Sequence, residues 1–440
     1  MGPDGRDGSL AEARPRWFRG WLMVGVGFLV YGLGMAPAYY SWGLLAPAVI
    51  ADLGLSRAQI GNVFGLFTLT FALVSPLAAA AMQRFGLRAV VSAGSLLAAV
   101  GFWQTSAAES ATEFILVLSL VGGLGVGLST LLPAQVLPVH WFRRYRARST
   151  AVILLGAAVV GAFVPAVDEW ILRTHDWRMA WKCIAGISVG VALLAGVFLR
   201  NRPQDVGQHL DGDTPDFSPE RSSSEQTRRA RIVHEGEDLS TAQAIFTPQF
   251  LIVTFACLAN AVPWRVFTAH GRLHFEDLDF APTAAAAILG VRVGVSALGR
   301  LSGSAGDFID PRRVLALSLA VTAVGMAGLA ATASTASAYV CVVLLGFGYG
   351  VGFTSEPLVF ARMFGTRAFI GSNGLRIAIT GVFGWLGPTW VGAAADLTGS
   401  YATGFAALTT LSLLGAIAIL LCRAPKPATA RLKADSDQAG

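Results

Sequence analysis

The chain has 440 residues, of which 54% are hydrophobic and only 14% are charged. That balance is too apolar for a soluble domain of this size. Apolar runs of about 18 residues or more recur along the chain, which indicates a helical membrane protein. The segments of about ten residues with alternating polarity that are typical of a transmembrane barrel are absent from the sequence. The formal net charge of +6 therefore indicates topology signals at a membrane rather than a nucleic-acid partner.

The hydropathy pattern predicts twelve transmembrane helices in two sets of six. The predicted spans are residues 20–43, 57–81, 87–107, 112–138, 148–171, 178–199, 245–269, 281–304, 313–333, 337–361, 370–393 and 402–422. A linker rich in charge, serine and proline separates the two sets and is expected to lie disordered at the membrane surface. The expected domains are an N-terminal tail (1–19), a six-helix bundle (20–199), the linker (200–243), a second six-helix bundle (244–423) and a C-terminal tail (424–440).

The distribution of arginines predicts the orientation of the chain. Every second connection is rich in cations: Arg14, Arg16 and Arg19; Arg84 and Arg88; Arg143, Arg144, Arg146 and Arg148; the linker; Arg312 and Arg313; and Arg362 and Arg367. By the positive-inside rule, both termini and the linker are expected on the cytoplasmic side of the cell's inner (cytoplasmic) membrane. No short apolar segment with a cleavage site precedes the first span, so no removable signal peptide is expected.

The cysteines and histidines give no sign of a metal site. The four cysteines lie singly in predicted helices and are interpreted as small core residues. His270 and His274 are four residues apart, as two ligands on one helix face would be, but they straddle the predicted end of the seventh span beside Arg272. The sequence holds no Walker loop, H-E-x-x-H or G-x-S-x-G motif, so no cofactor and no enzymatic activity are predicted.

The two sets of helices repeat one another. The corresponding positions are Gly123, Gly125 and Gly127 with Gly348, Gly350 and Gly352 at an offset of 225; Pro133 with Pro357 at 224; and Pro165 with Pro388 at 223. Several matches at a nearly constant offset predict a duplicated six-helix unit, with the copies related by an axis along the membrane normal. In such a protein the solute site lies between the halves near the midplane.

The turn after the second span resembles the signature of the major facilitator superfamily. There the turn reads G-x-x-x-D-R-x-G-x-R; here Arg84, Gly86 and Arg88 match, whereas Ala79 and Gln83 stand in place of the glycine and aspartate. The turn after the eighth span keeps an acid and two cations, Asp307, Arg312 and Arg313. The resemblance implies gating by ion pairs at both turns, weaker in the first half. The alternative is that these charges only fix topology.

Within that superfamily the chain resembles the monocarboxylate porter and oxalate/formate antiporter group over residues 17–423. The resemblance is carried by Arg19-Gly20-Trp21; the stretch from Tyr39 to Gly61; Gly156, Gly161 and Pro165 followed by Asp176-Trp177-Arg178; and Gly387-Pro388 with the stretch from Asp396 to Tyr401. It implies transport of small carboxylates by alternating access, with proton symport or anion exchange. Two departures count against copying a substrate: Ser296 stands where the group often has Asp or Asn, and Thr380 where the oxalate/formate type has Lys, with Arg376 one turn away.

The eighth span carries the leading candidates for solute binding. Arg292 and Arg300 lie eight residues apart in an apolar run, with Ser296 between them, and therefore look toward the same side of the helix. A cation near the bilayer centre costs about 2.5–3.5 kcal/mol on insertion scales, so we expect this stripe to face an aqueous cavity and a negatively charged solute. For Arg300 the alternative is a structural ion pair, and for Arg292 a lining or gating role.

Other polar residues in the spans extend this candidate site. Arg376 is expected to face the same cavity, and further solute contacts are predicted from Tyr31, Tyr39 and Asn373. Glu356 is a candidate for coupling or gating, since a buried acid among arginines either carries a proton or is displaced by the solute; the alternative is structural pairing. Arg265, after Pro263 in the seventh span, is a candidate for gating the outer mouth.

The sequence therefore predicts a monomeric transporter of a small organic anion, a monocarboxylate first of all, whose partners are the solute, protons or a counter-anion, and the lipid bilayer. A different solute on the same fold remains open, either a dicarboxylate taken up or an amphipathic compound exported. A membrane sensor that binds the anion without moving it also remains open.

Overall fold

In the computed structural model, residues 18–142, 145–212, 239–302 and 309–423 are described, and all regular elements in these ranges are helical. Of the helices, 11 are long and apolar enough to cross a membrane, and a pair bent by 41° supplies a twelfth. The spans, numbered first to twelfth below, are Gly20–Leu53; Arg57–Leu73 with Ser75–Phe85; Leu87–Ser106; Ala111–Trp141; Arg148–Thr174; Trp177–Phe198; Pro248–Glu276; Pro282–Ser302; Pro311–Ala330; Thr335–Phe364; Leu375–Thr398; and Ala402–Leu421. The predicted all-helical membrane fold is confirmed.

Two spans, the first and the seventh, extend furthest beyond their predicted ends. The first continues through Pro47 to Leu53 and stops where Gly54 takes a left-handed conformation (φ 65°), which glycine adopts without steric cost. The seventh continues to Glu276, so both histidines lie inside a helix rather than in a loop. In each case a hydropathy window ends at the first polar residues, whereas helical hydrogen bonding continues past them.

The tenth and eleventh spans belong to one run of helical hydrogen bonding, Thr335–Thr398. In a straight helix, Glu356 and Arg376 would lie about 30 Å apart. Instead, Arg376 Nη1 lies 2.7 Å from Glu356 Oε2. The chain therefore turns back between these two residues, and both spans contribute to the same interior.

Contacts between connections define two opposite sides of the helix array. On the linker side, the Arg88 amide donates to Asn201 Oδ1 at 2.9 Å and Trp141 Nε1 donates to the Arg200 carbonyl at 3.2 Å. On the far side, Arg178 pairs with Asp52. The alternation of the spans places the start of the seventh span on the linker side and its end on the far side.

The first six and the last six spans touch backbone to backbone on the far side. A Cβ atom would lie 1.9 Å from the Thr268 carbonyl oxygen at Gly43, 2.3 Å from the Pro388 oxygen at Gly61, and 2.4 Å from the Arg57 oxygen at Gly392. Only glycine allows such an approach. The halves are therefore in direct contact where these helices meet.

Charged groups join the same helices. Arg57, at the start of the second span, pairs with Asp277, and Glu169 of the fifth span pairs with Arg272 of the seventh at 2.9 Å. Asp396 accepts hydrogen bonds from the amides of Arg57 at 3.2 Å and Ala58 at 2.9 Å, which caps the second span from the other half. We call these two ion pairs, this cap and the contacts of Gly43, Gly61 and Gly392 the far-side closure.

Replacing Gly61 with valine is expected to open the far-side closure. The new side chain meets the Pro388 carbonyl. Overpacking of this kind costs about 1–3 kcal/mol, which is about a 5–150-fold change in the ratio of closed to open protein. A cysteine at Ala269, a fully buried position beside Gly43, should then react faster with maleimide in detergent. Equal labelling in the Gly61→Val and unchanged backgrounds would contradict the assignment of this contact to the closure.

Candidate solute-binding site

The eighth span packs tightly on the tenth through glycine, which fixes the position of the candidate cations. A Cβ atom at Gly346 would lie 2.3 Å from the Arg292 carbonyl oxygen, and one at Gly350 would lie 2.2 Å from the Ser296 oxygen. These glycines are four residues apart, so two successive turns of the helices are in contact. The Ser296 hydroxyl donates to the Val293 carbonyl at 2.7 Å and is thus engaged within its own helix.

Arg292 is enclosed by the seventh span. Its Nη2 donates to Thr268 Oγ1 at 3.0 Å and its Nη1 donates to the Trp264 carbonyl at 3.3 Å. The guanidinium carbon lies 3.9 Å from the centroid of the Trp264 ring, a cation–π contact, and the side chain is only 2% exposed. The expectation that Arg292 faces an aqueous cavity is therefore not met in this conformation, because the Trp264 indole covers the cation.

Arg300 reaches across to the first six spans. Its Nη1 donates to the Leu154 carbonyl of the fifth span at 3.0 Å, and its guanidinium lies 4.7 Å from the ring centroid of Phe353. Tyr31 and Tyr40 of the first span both interact electrostatically with it. Arg300 therefore lies where the first, fifth, eighth and tenth spans come together.

Neither arginine of the eighth span has a carboxylate partner among the described residues. The Nε atoms of Arg292 and Arg300 are buried and lack hydrogen-bond partners there, and no ion pair within those ranges includes either residue. A buried charge is costly unless it is paired and hydrogen-bonded. These two guanidinium groups can accept an anion without first releasing a carboxylate of the protein.

An aromatic layer connects the first span to the cations. Tyr39 and Tyr40 meet edge to face at a centroid distance of 5.2 Å, and Tyr40 meets Trp264 in the same way at 6.3 Å. Trp264 also stacks on Tyr349 of the tenth span at 4.0 Å. The structure thus places Tyr31, Tyr39 and the two arginines of the eighth span around one interior region.

Glu356 is held in a buried polar cluster. Its Oε2 pairs with Arg376, and its Oε1 accepts a hydrogen bond from Asn260 Nδ2 at 2.9 Å. The Glu356 side chain is buried. In this conformation Glu356 is therefore a structural partner of Arg376, which was the alternative to a role in coupling or gating. Asn373 belongs to the helical run of the tenth and eleventh spans, and its role as a solute contact stays a prediction.

Arg265 lies inside the helix array rather than at its mouth. Its Nη1 donates to the Thr380 carbonyl at 2.8 Å. It thus brings a cation to the position at which the oxalate/formate type has a lysine. Gly384, one turn further along, leaves the space that the Arg265 side chain fills, since a Cβ atom there would lie 1.5 Å from Nη1.

Replacing Gly384 with alanine should therefore displace the Arg265 guanidinium and break its bond to Thr380. We expect a loss of about 1–3 kcal/mol in stability, measured as a lower midpoint of thermal unfolding in detergent. Gly186→Ala is the matched control, because a Cβ atom at Gly186 meets nothing within 4 Å. If the two variants unfold at the same temperature, Arg265 does not depend on this space.

The predicted gating residues on the linker side have different surroundings. Arg84 is exposed and lies against the Phe85 ring at 5.3 Å, while the Arg88 side chain is also exposed; among the residues described, neither forms an ion pair with an acid. The side chain of Arg312 pairs with Asp310 at 2.7 Å. The predicted acid of this turn, Asp307, lies outside the described residues.

Asp310 and Arg312 tie the start of the ninth span to the end of the twelfth. Arg312 Nη1 donates to the Cys422 carbonyl at 3.0 Å, and Asp310 caps the ninth span through the Arg312 amide at 3.0 Å. Partial burial raises the pKa of the Asp310 carboxyl, but the hydrogen bonds and charges of Arg312 and Arg362 lower the pKa further, to below its ordinary value. Asp310 is thus ionised at neutral pH.

Sequence reasoning missed the acids of the fifth span and their surroundings. Asp168 and Glu169 are both buried, and Glu169 accepts from Arg272 and from Arg173 Nε at 3.1 Å. Both acids fall inside the predicted span 148–171, and a carboxylate in an apolar run is by itself a sign of function. Arg57 and Asp277, which pair with each other, lie at the ends of spans. Charged residues are common there, so nothing in the sequence distinguishes these two.

The two histidines of the seventh span are engaged separately. His270 Nε2 contacts the Pro388 carbonyl at 2.9 Å, and His274 Nε2 contacts the Leu329 carbonyl at 3.1 Å. Within the described ranges, no group of three or more His, Cys, Asp or Glu side chains is placed to hold a metal ion.

Comparisons with known proteins place this architecture in a family. The profile of the Major Facilitator Superfamily matches residues 26–307. Monocarboxylate transporter 13 of Rattus norvegicus is 26% identical over 90% of this chain and 87% of its own length. An uncharacterized MFS-type transporter of Escherichia coli (strain K12), YhjX, is 22% identical over 82% of this chain and 84% of its own.

A solved structure shares the fold. The crystal structure of a bacterial homolog to the human lysosomal transporter Spinster, in its inward-facing and unoccupied conformation, aligns with a TM-score of 0.67 and 15% identity, covering 92% of this chain and 95% of that one. The proteins of this superfamily and the curated relatives are transporters rather than enzymes. The chain is a multi-pass membrane protein that belongs to the Major Facilitator Superfamily, and it resembles the monocarboxylate porters within it.

Proposed function

We propose that this chain is a secondary transporter of a small organic anion, in the first place a monocarboxylate, and that it works by alternating access with proton symport or anion exchange. The proposal rests on Arg292 and Arg300, whose guanidinium groups have no carboxylate partner among the described residues. A guanidinium group binds a carboxylate through two parallel, charge-assisted hydrogen bonds. The names of the monocarboxylate transporters among its relatives support the same class of solute.

Arg300 is the better placed of the two for primary binding. It lies at the junction of both halves, beside Tyr31 and Tyr40, whereas Arg292 is covered by Trp264. A solute that draws Arg300 away from the Leu154 carbonyl would change the contact between the fifth and eighth spans. Binding in this arrangement is therefore linked to movement of one half against the other.

The remaining roles and the orientation belong to the same proposal. Residues 20–199 and 244–423 move as two six-helix bundles in a monomer, and the linker side faces the cytoplasm because the arginine-rich connections lie there. The described conformation is then closed toward the outside. Glu356, Arg376 and Arg265 form the polar wall of the site, and the turns of Arg84, Arg88, Asp307 and Arg312 gate the linker side.

A dicarboxylate is the second candidate solute, favoured by the separation of the two cations. Eight residues place the backbones of Arg292 and Arg300 about 12 Å apart along the helix axis. Their guanidinium groups also point to different spans, Arg292 to the seventh and Arg300 to the fifth, so in this conformation they favour two separate carboxylate groups. A solute with two carboxylate groups matches these two cations, which have no carboxylate partner among the described residues, better than a monocarboxylate does. A monocarboxylate requires Arg292 to act as a lining or gating residue.

Uptake into proteoliposomes tests the proposal. The purified chain is reconstituted, and radiolabelled lactate, oxalate, succinate and glucose are offered with and without an acid-outside pH gradient. Saturable uptake of lactate, absent from empty liposomes, is the expected result, and stimulation by the gradient indicates proton symport. Preference for succinate moves the dicarboxylate to first place. Binding without accumulation would leave a sensor, and transport of glucose alone would show that the arginines do not select an anion.

A further inference from the structure

Asp168 is a buried acid without a cation partner among the described residues. It lies in the fifth span and is 4% exposed. The Ser41 hydroxyl of the first span faces this carboxyl group and interacts with it. Asp168 Oδ2 and the Ser41 oxygen are both buried, and neither makes a hydrogen bond of normal geometry among the described residues. The site therefore consists of one carboxyl group and one hydroxyl group, enclosed by apolar helices.

The neighbouring residue shows how different this environment is. Glu169 is equally buried, at 5% exposure, but it receives hydrogen bonds from Arg272 and Arg173. Successive residues of a helix point about 100° apart, so the arginines that bind Glu169 approach a different face. Asp168 instead shares the face of Gly161, where a Cβ atom would lie 2.5 Å from the Tyr40 ring.

The charged groups that the surrounding elements bring toward the fifth span are engaged elsewhere or are exposed. The fifth span packs against the first, fourth, sixth and eighth spans, and the seventh span reaches it through Arg272. The engaged groups include Asp52 with Arg178; His140 with the Asn201 carbonyl; Arg292 with Trp264 and Thr268; and Arg272 with Glu169 and Glu276. Arg300 of the eighth span donates to the Leu154 carbonyl, and Lys182 of the sixth span is exposed. Within the described ranges, only Ser41 interacts with Asp168.

An isolated carboxylate in such a place is strongly disfavoured. The cost of burying an unpaired charge in a low-dielectric interior is large enough that the group takes up a proton instead. Asp168 lies seven residues, about 10 Å, beyond Gly161 in the direction of Glu169, so it sits between the aromatic layer of Tyr40 and the far-side closure. If that closure opens, the pair of Arg272 and Glu169 must separate, and water can then reach Asp168.

We propose that Asp168 is a proton-binding site that must be filled before the far side can close. In the open state the carboxylate is hydrated and takes a proton from the water on that side. In the closed state the neutral acid is buried beside Ser41, and the proton returns to water on the same side when the closure opens. Acid on the far side thus favours closure, whatever solute the transporter carries.

Labelling of a buried cysteine tests the site. Ala269→Cys, next to Gly43, is reacted with maleimide in detergent between about pH 6 and pH 8. This whole range lies above the ordinary pKa of a hydrated carboxyl group, so Asp168 is expected to lose its proton whenever the closure opens. Its rate is divided by that of Leu397→Cys, which is 88% exposed, to remove the titration of the thiol itself. In the otherwise unchanged chain the ratio should rise with pH by several-fold. With Asp168→Asn, which keeps the shape of the neutral acid, it should stay low at every pH.

A second measurement does not depend on labelling. The folded closed state keeps a proton that the unfolded chain releases above about pH 4, so this site disfavours folding increasingly as the pH rises above that value. The thermal midpoint of Asp168→Asn should therefore exceed that of the unchanged chain by a margin that widens from acid toward neutral pH. Glu113→Gln, which removes an exposed acid on the same side, should show no such trend.

The outcomes separate this site from the proposed solute. A flat labelling ratio in the unchanged chain, or an equal rise in Asp168→Asn, overturns the proposal. The proposal is also overturned if the thermal midpoints of Asp168→Asn and the unchanged chain differ by the same amount at every pH. If Asp168→Asn fails to fold, Asp168→Glu, which restores an acid, should retain the pH-dependent ratio, and its loss would count against the site. None of these results requires carboxylate transport, so failure of that function leaves the test intact.

Discussion

Replacing Arg300 with glutamine should lower carboxylate uptake by roughly 10–100-fold, since hydrogen bonds to a charged group contribute about 1.5–3 kcal/mol. Glutamine keeps a polar side chain but removes the charge and the planar fork that binds both oxygens of a carboxylate. Uptake by Arg300→Lys should lie between that of Arg300→Gln and that of the unchanged chain, because lysine keeps the charge but lacks the planar fork of donors. The measurement is the initial rate of uptake into proteoliposomes at equal amounts of reconstituted protein.

The thermal stability of Arg300→Gln distinguishes a role of Arg300 in binding from a role in the structure. Arg300 has no carboxylate partner among the described residues, so its removal should leave the thermal midpoint unchanged or raise it. Arg423→Gln, an exposed cation on the linker side, is the matched control and should keep full uptake. Normal uptake by Arg300→Gln would reject its role in binding, and a large drop in the midpoint would indicate a structural role.

Replacing Glu356 with glutamine should destabilise the protein by about 3–5 kcal/mol, the usual cost of removing one partner from a buried ion pair. The variant leaves the Arg376 guanidinium without the carboxylate that lies 2.7 Å away. Glutamine retains the hydrogen-bonding contact with Asn260 but supplies no negative charge. Unfolding in detergent, followed with increasing denaturant, measures the loss.

The double variant, Glu356→Gln with Arg376→Gln, is the control for this pair. It removes both charges, so most of the lost stability should return, because an uncompensated charge rather than a missing bond causes the defect. If Glu356→Gln alone is as stable as the unchanged chain, the acid is already neutral in the folded state. It would then be a proton carrier rather than a structural partner of Arg376.

The number of spans and the positions of the leading cations could be predicted because both depend on local sequence. A run of about 20 apolar residues has few alternatives to a membrane helix, and Arg300 is conspicuous in such a run for the same reason. The partners of these charges could not be predicted. Glu356 meets Arg376 only because the chain turns back between the two spans, and Arg57 meets Asp277 across a separation of 220 residues.

The contacts of the aromatic side chains could not be predicted, for a different reason. Trp264 covers Arg292, yet a tryptophan in an apolar helix is compatible with packing, with the lipid interface or with a site, and hydropathy gives the same value in each case. Asp168 carried the same signal as Glu356, an acid within an apolar run. Asp168 is unusual because no described cation pairs with it, and pairing is a property of packing that cannot be read from one helix.

The glycine contacts of the far-side closure bear on how fast the transporter can cycle. At Gly43, Gly61 and Gly392 the backbone of one helix touches the backbone of another, so no side chain has to select a rotamer when the surfaces meet. Ordering a long side chain costs up to about 2 kcal/mol, and surfaces made of glycine avoid that entropy loss at every closing. We therefore expect the ion pairs that must break, such as Arg272 with Glu169, to slow opening more than the repacking of side chains at these contacts does.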